Sequence, residues 1–350
     1  MSILLYHPLY DGRGFSPIQD SWKRYPRILA LARSDVVAGR IEVRTPPMAT
    51  DAELMLVHPP EYLSWLQRQE QGGARYFDRS TPAWPGIYDR ARATVGASIA
   101  AARLVASGES PSAINVSGGL HHAHAARASG FCLLNDVVVA VRVLQREFGL
   151  RRIAVVDIDG HHGDGTQALL EAEPVLCLSL HRHGGRFYPG TGDVEERGRG
   201  AGLGYTINVP LPRSCGDEAY LLALHELVEP AVCAYRPELI ILQYGVDGHH
   251  ADSMVRLGLS THLYAHAAQL FRGLAERLCG GRLMVVGGGG YRPDDAVRCW
   301  AMLLGELADA SPSALAHLHD SGSIPPAATG AMDEVRATLG RLRRLGEPGR

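Results

Sequence analysis

At 350 residues, 46% of them hydrophobic, the chain is long enough to bury a large core as one catalytic domain. Its 35 basic and 37 acidic residues are closely interspersed and give a formal charge of -2, so no single-sign field marks a nucleic-acid or membrane-surface partner. Six widely spaced cysteines with no CxxC pair, a start (Met1–Asp11) without the form of an export signal, and no apolar run of about 18 residues argue against a disulfide framework and a spanning helix, and predict a cytoplasmic protein with reduced thiols.

In chain order, short β-branched runs predict strands at Ser2–Tyr6, Ile41–Arg44, Ala113–Val116, Ile153–Ile158, Val175–Leu180, Tyr205–Val209, Leu239–Gln243 and Leu283–Val286. Between them, apolar spacing predicts helices over Gln19–Ala32, Ile87–Ser107, Asn135–Glu147, Asp217–Tyr235, Thr261–Leu278 and Pro293–Leu307. Asn135 suits an N-cap, and Pro293 followed by Asp294 and Asp295 suits a helix start. The alternation predicts an α/β fold with an eight-stranded, mostly parallel sheet and helices on both faces. After about Ala308 the sequence becomes Ser-, Pro- and Ala-rich and then gives a basic helix near Met332–Leu345. Residues 1–308 therefore read as the catalytic domain and 309–350 as a peripheral helical tail.

Ligands of open α/β sheets bind beyond the carboxyl ends of the strands, so the residues just after each strand are the informative ones. Five strand ends are polar: Ser117 to His122, Asp159 to Gly165, His181, Tyr244 to Asp247, and the four glycines before Tyr291. Side chains two apart share a face of a strand, so Asp157, Asp159 and His161 point the same way. Asp159 and His161, at the fraying end, can reach one ion while Asp157 lies deeper. Asp247 from a separate strand completes an Asp–His–Asp set, and a catalytic zinc takes three such ligands and keeps an open position. A lone Asp after a strand is usually a turn or cap, and a lone His pair is usually structural; the coincidence at successive strand ends is what points to a site. The glycine tract lacks the GK[ST] of a phosphate loop and reads as room for close backbone approach beside a reactive Tyr291. There is no GxSxG elbow, and Cys132 has no basic or helix-start setting, which disfavours covalent catalysis.

These residues resemble the histone deacetylase superfamily, including bacterial acetoin-utilization-type deacetylases, over roughly His7 to Leu307. The likeness rests on Gly118-Gly119-Leu120-His121-His122-Ala123, Ser129-Gly130-Phe131-Cys132-Leu133-Leu134-Asn135-Asp136, Asp157-Ile158-Asp159-Gly160-His161-His162-Gly163-Asp164-Gly165, Ser179-Leu180-His181, Phe187-Tyr188-Pro189-Gly190-Thr191-Gly192, Leu242-Gln243-Tyr244-Gly245-Val246-Asp247 and the glycines before Tyr291. The resemblance implies an arginase/deacetylase three-layer sandwich with one zinc per chain on Asp159, His161 and Asp247. It implies His121 paired with Asp157, His122 paired with Asp164 and acting as base then acid, and Tyr291 as donor to the oxyanion. It implies a substrate channel at Gly130, Phe131, Tyr188 and Met254, and a structural potassium near Asp157, Asp159, His161, Ser179 and Leu180. The implied reaction is hydrolysis of an acyl amide on acetyl-lysine or a small acetylated amine.

Several positions depart from better-known members. Ser80 stands where protein-directed enzymes carry a rim Asp, and Met254 where a polyamine-directed relative has a Glu, which weakens both substrate readings. Gly160 and Tyr188 also vary from common eukaryotic forms, and Arg27 aligns with an Arg lining an acetate exit. Selectivity falls to the loops Gln67–Gly86, Gly12–Tyr25 and Arg182–Gly190; no exposed apolar helix face indicates an oligomer. Two other readings stay open. A binuclear manganese ureohydrolase would need further carboxylates where this chain has Asp247-Gly248-His249. A non-catalytic acyl-amine binding protein would be expected to lose Tyr291, His122 or a ligand.

Overall fold

The β-branched runs form the strands β1 (Ser2–Leu5), β2 (Ile41–Arg44), β3 (Ser112–Asn115), β4 (Ile153–Asp157), β5 (Leu176–Arg182), β6 (Thr206–Leu211), β7 (Leu239–Gln243) and β8 (Leu283–Val286). The structure, a computed structural model, describes residues 1–346 except Arg13, Pro17, Gln19, Ala38, Gly322 and Ser323. The strands make one sheet in the order β2-β1-β3-β8-β7-β4-β5-β6, with every pairing parallel. Alternation along the strands sends Leu4, Ile114, Val156, Leu178, Leu242 and Val285 into one helical layer and Ile3, Ala113, Val155, Ile241 and Met284 into the other. Burying each such Leu, Ile or Val contributes roughly 1.5–3 kcal/mol, which fixes the strand register. The fold is the expected arginase/deacetylase-like sandwich.

The helices Ile87–Ala106 and Asp136–Phe148 cover one face. Asn135 caps the second by accepting the Val138 N–H at 3.0 Å. On the other face lie Arg24–Ala32, Thr261–Cys279 and Pro293–Leu307, joined by Gly216–Ala223 and Glu229–Tyr235. The first of these starts later than expected, after a 3₁₀ turn at Ser21–Lys23, because Pro26 is tolerated only in a first turn; Gln19 lies outside the described residues. The segment expected as one helix over Asp217–Tyr235 is interrupted by a π turn at Leu224–Val228, next to Pro230, which has no N–H for a regular ladder. A helix at Pro60–Gln71 occupies part of the segment expected to be a rim loop, burying Tyr62, Leu63 and Leu66. In the tail, Ala331–Gly346 is helical and packs beside Gly216–Ala223 and β6, burying Val335 and Leu339.

Candidate active site

The five strands whose ends are polar, β3, β8, β7, β4 and β5, are consecutive neighbours in the sheet. Parallel pairing therefore brings residues from distant segments to one edge of the molecule. Asp157 and Ser179 are register partners, and Gln243 lies on the other side of Asp157.

Beyond β4 and β7, ligand atoms of Asp159, His161 and Asp247 lie within 4.8 Å of one another, and all three residues are buried. His161 Nδ1 is 2.9 Å from Asp247 Oδ2 and 3.3 Å from Asp159 Oδ1. Backbone donors orient the carboxylates: Gly289 N–H donates to Asp159 Oδ2 at 2.6 Å, and Gly160 N–H to Asp247 Oδ1 at 2.8 Å. These approaches require glycine, since a Cβ at Gly288 would strike the Asp159 carboxylate and one at Gly289 the Asp247 carboxylate. The His161 ring stacks on Phe187 at 5.1 Å.

The electrostatics of this trio favour a cation. Burial and the neighbouring Asp159 push Asp247 up to about 6. Burial also acts to raise Asp159, but the charge of His121 and the hydrogen bond of His161 outweigh it and hold that carboxyl well below the usual range. Against its own burial, His161 is raised to about 10 by Asp247 and Asp159. Two buried carboxylates sharing one imidazole carry excess negative charge, and an Asp–His–Asp set of oxygen and nitrogen donors suits a zinc-class ion.

Beside the trio stand the tandem histidines. His121 Nδ1 bonds Asp157 Oδ2 at 2.7 Å, His122 Nδ1 bonds Asp164 Oδ1 at 2.6 Å, and the two Nε2 atoms are 3.1 Å apart. Burial lowers His121, but Asp157 and Asp159 together raise it to about 9; His122, buried and next to the His121 charge, is lowered to about 3. Between those values the pair carries one positive charge, with His122 the neutral member. Tyr291 lines the same cavity, meets Phe131 edge-on at 6.0 Å, and is kept protonated by burial.

Phe131 and Tyr188 form walls. The Tyr188 ring lies edge-on to His122 at 5.0 Å, and its hydroxyl is 2.6 Å from Ser129 Oγ. Gly130 has φ 52°, and a Cβ there would strike the His122 ring. Met254 is 37% exposed. Ser80 lies in a turn closed by Asp78, whose Oδ1 accepts the Ser80 N–H at 2.8 Å, and Thr81 Oγ1 accepts the Phe131 N–H at 3.1 Å. Ser179 Oγ lies 2.9 Å from His181 Nδ1, and Leu180 is buried.

One placement differs from the sequence reading. Arg27 does not enter the cavity; it sits at the surface, 2.6 Å from Asp294. Arg24, one turn earlier, lines the cavity instead, with Nη2 donating to the Gly288 carbonyl at 2.6 Å. Its partners are backbone carbonyls of a remote loop, which leave no mark in spacing. His249 adds nothing to the trio. Its Nδ1 accepts the Ala251 N–H at 3.2 Å, which puts the ring proton on Nε2, and Nε2 donates to Asp320 at 3.2 Å. His249, His250 and Asp320 are close enough to hold an ion, but that tautomer leaves His249 Nε2 without a lone pair to offer.

Known proteins resemble the chain over most of its length. Residues 19–307 match the family described as "Histone deacetylase domain". The chain is 36% identical over 281 residues to "Acetoin utilization protein AcuC" of Bacillus subtilis, covering 77% of this chain and 72% of that protein. It is 35% identical over 283 residues to "Histone deacetylase-like amidohydrolase" of Pseudomonas aeruginosa (80% and 74%) and 38% identical over 263 residues to "Probable deacetylase" of Archaeoglobus fulgidus (74% and 71%).

Proposed function

Because this chain belongs to the histone deacetylase family, we propose that it is a zinc-dependent amidohydrolase that cleaves the amide of an acetylated amine or acetyl-lysine, releasing carboxylate and free amine. The observation that carries the reading is the meeting, at five adjacent strand ends, of the Asp159–His161–Asp247 trio with two histidine–carboxylate pairs and Tyr291.

Asp159, His161 and Asp247 would hold the ion, which when bound supplies Lewis acidity toward the amide carbonyl and toward water. His122, neutral and oriented by Asp164, takes a proton from the attacking water at Nε2 and returns it to the departing amine nitrogen. Asp164 fixes the imidazole so that Nε2, not Nδ1, holds the lone pair. His121 stays charged through Asp157 and lowers the energy of negative charge building nearby. The protonated Tyr291 hydroxyl donates to the carbonyl oxygen as it becomes an oxyanion.

Phe131 and Tyr188 would flank the chain that carries the amide. At the rim, Asp78 is turned onto its own loop and Met254 offers no charge, which supports a substrate recognised without a peptide-backbone carboxylate or a distant ammonium. A potassium ion beside Asp157, Asp159, His161, Ser179 and Leu180 belongs to the same reading, by the resemblance alone. The six free cysteines support a reducing, cytoplasmic setting; among the described residues, no helix is long and apolar enough to cross a membrane.

The test is metal analysis together with hydrolysis of a panel of acetyl-lysine peptides, acetylpolyamines and simple acetylated amines. About one zinc per chain with turnover of at least one panel member is expected. Two manganese ions per chain, or bound metal with no turnover, would sink the proposal.

A further inference from the structure

The loop before Tyr291 is four consecutive glycines, Gly287–Gly290, and has no side chain with which to hold itself in place. A hydroxyl that must meet a developing oxyanion needs a fixed backbone, since errors near 1 Å can cost on the order of 100-fold in rate. Backbone bonds of Gly287 to Asn115 and of Gly289 to Val246 and Asp159 hold the start of the loop, and its last peptide unit, the one that carries Tyr291, is held at both ends by charged side chains. The Gly290 carbonyl accepts a hydrogen bond from Arg24 Nη1, and the Tyr291 N–H, at the other end of the same peptide, donates to Asp252 Oδ2 at 2.7 Å. Arg24 and Asp252 are both buried, so each bond is charge-assisted and shielded from water. The other oxygen of Asp252 accepts the Met254 N–H at 2.9 Å.

From this we infer that Asp252 is a positioning residue: it acts through the Gly290–Tyr291 peptide to set where the Tyr291 hydroxyl points, and it ties that setting to Met254 at the channel rim. Both carboxylate oxygens are taken by backbone donors, so the side chain works on the loop and not on substrate. The inference rests on Tyr291 being the oxyanion donor.

A double-mutant cycle on the zinc-loaded protein, with a fluorogenic acetyl-lysine amide as probe, tests it. Tyr291→Phe is expected to lower kcat roughly 10²–10³-fold, and Asp252→Ala about 10–100-fold with KM little changed. In the Tyr291→Phe background, Asp252→Ala should cost nothing more, because its effect passes through the missing hydroxyl. In parallel, Asp252→Asn should speed amide hydrogen exchange in the peptide spanning 288–292, with any other change confined to the segment around Met254, whose N–H the same carboxylate accepts. Losses that multiply, or exchange at 288–292 equal to wild type, would overturn the positioning role while leaving the hydrolase reading intact. Full activity in Tyr291→Phe would overturn the oxyanion role of Tyr291 and the positioning role with it, whereas a wild-type protein that turns over no probe would overturn the hydrolase reading. If Asp252→Ala fails to give a cooperative melt, Asp252→Asn carries the same cycle, because it keeps the side-chain volume while losing one acceptor.

Discussion

Two groups of histidine and aspartate draw on the segment after β7, Asp247 in one and His249 with His250 in the other, and they are built oppositely. In Asp159, His161 and Asp247, two buried carboxylates turn toward one imidazole, and among the described residues no guanidinium or ammonium bonds to them. In His249, His250 and Asp320, a single carboxylate already receives Arg298 Nη1 at 2.8 Å, the Thr261 N–H at 2.8 Å and the His249 ring at 3.2 Å. The first has negative charge in excess; in the second the carboxylate is matched by a guanidinium, and His249 has no lone pair to spare. Residue types alone do not separate an ion site from a structural junction, whereas the balance of charge and the tautomer of one ring do.

The widest separation between the two is expected from removing one carboxylate of each. Asp247→Ala should leave the protein with almost no bound zinc and no measurable turnover, while Asp320→Asn should keep both; metal analysis and the acetyl-lysine assay decide it, and equal zinc loss in the two variants would erase the distinction. A smaller effect is expected at Asp157→Asn, on the order of 10–100-fold in kcat. Asp157 helps to raise His121 to about 9 against burial, so losing its charge should move the alkaline limb of the kcat–pH profile to lower pH, and an unmoved limb would mean that the His121 charge plays no part. The smallest change is thermodynamic. Burial raises the Asp320 carboxyl, but the Thr261 N–H and His249 hold it below the usual range. Its contribution is therefore fully present above the unfolded value near 4 and is lost as pH falls through the lower folded value. Asp320→Asn should cost about 1–3 kcal/mol at neutral pH, a gap to wild type that stays constant down to about pH 4 and narrows below it in urea unfolding.

The strands and the trio were legible because their signals are contiguous: β-branched runs mark the sheet, and each polar cluster sits directly after a strand. Knowing which strands are neighbours was not needed to nominate His121, Asp159 or Asp247. What escaped acts across distance and through backbone. Arg24 and Asp252 grip a loop more than thirty residues away in one case and more than two hundred in the other, and neither lies in a patterned motif. The helix Pro60–Gln71 buries only Tyr62, Leu63 and Leu66 and is otherwise polar, so its periodicity is faint, although Pro60 at its first position and Glu61 in its first turn mark its start. The π turn at Leu224–Val228 depends on how one proline is absorbed, which apolar spacing does not report.

The glycine tract has a consequence for how this protein can change over time. Four adjacent glycines give the unfolded chain more freedom than any other tetrapeptide, so their ordering weighs against folding. Alanine would relieve that burden, yet a methyl group at any of the four meets something fixed: the Val116 carbonyl at Gly287, Asp159 at Gly288, Asp247 at Gly289 and Val246 at Gly290. Selection for heat resistance will therefore find its gains elsewhere on the chain, and this loop should stay the weak point that an active enzyme has to keep.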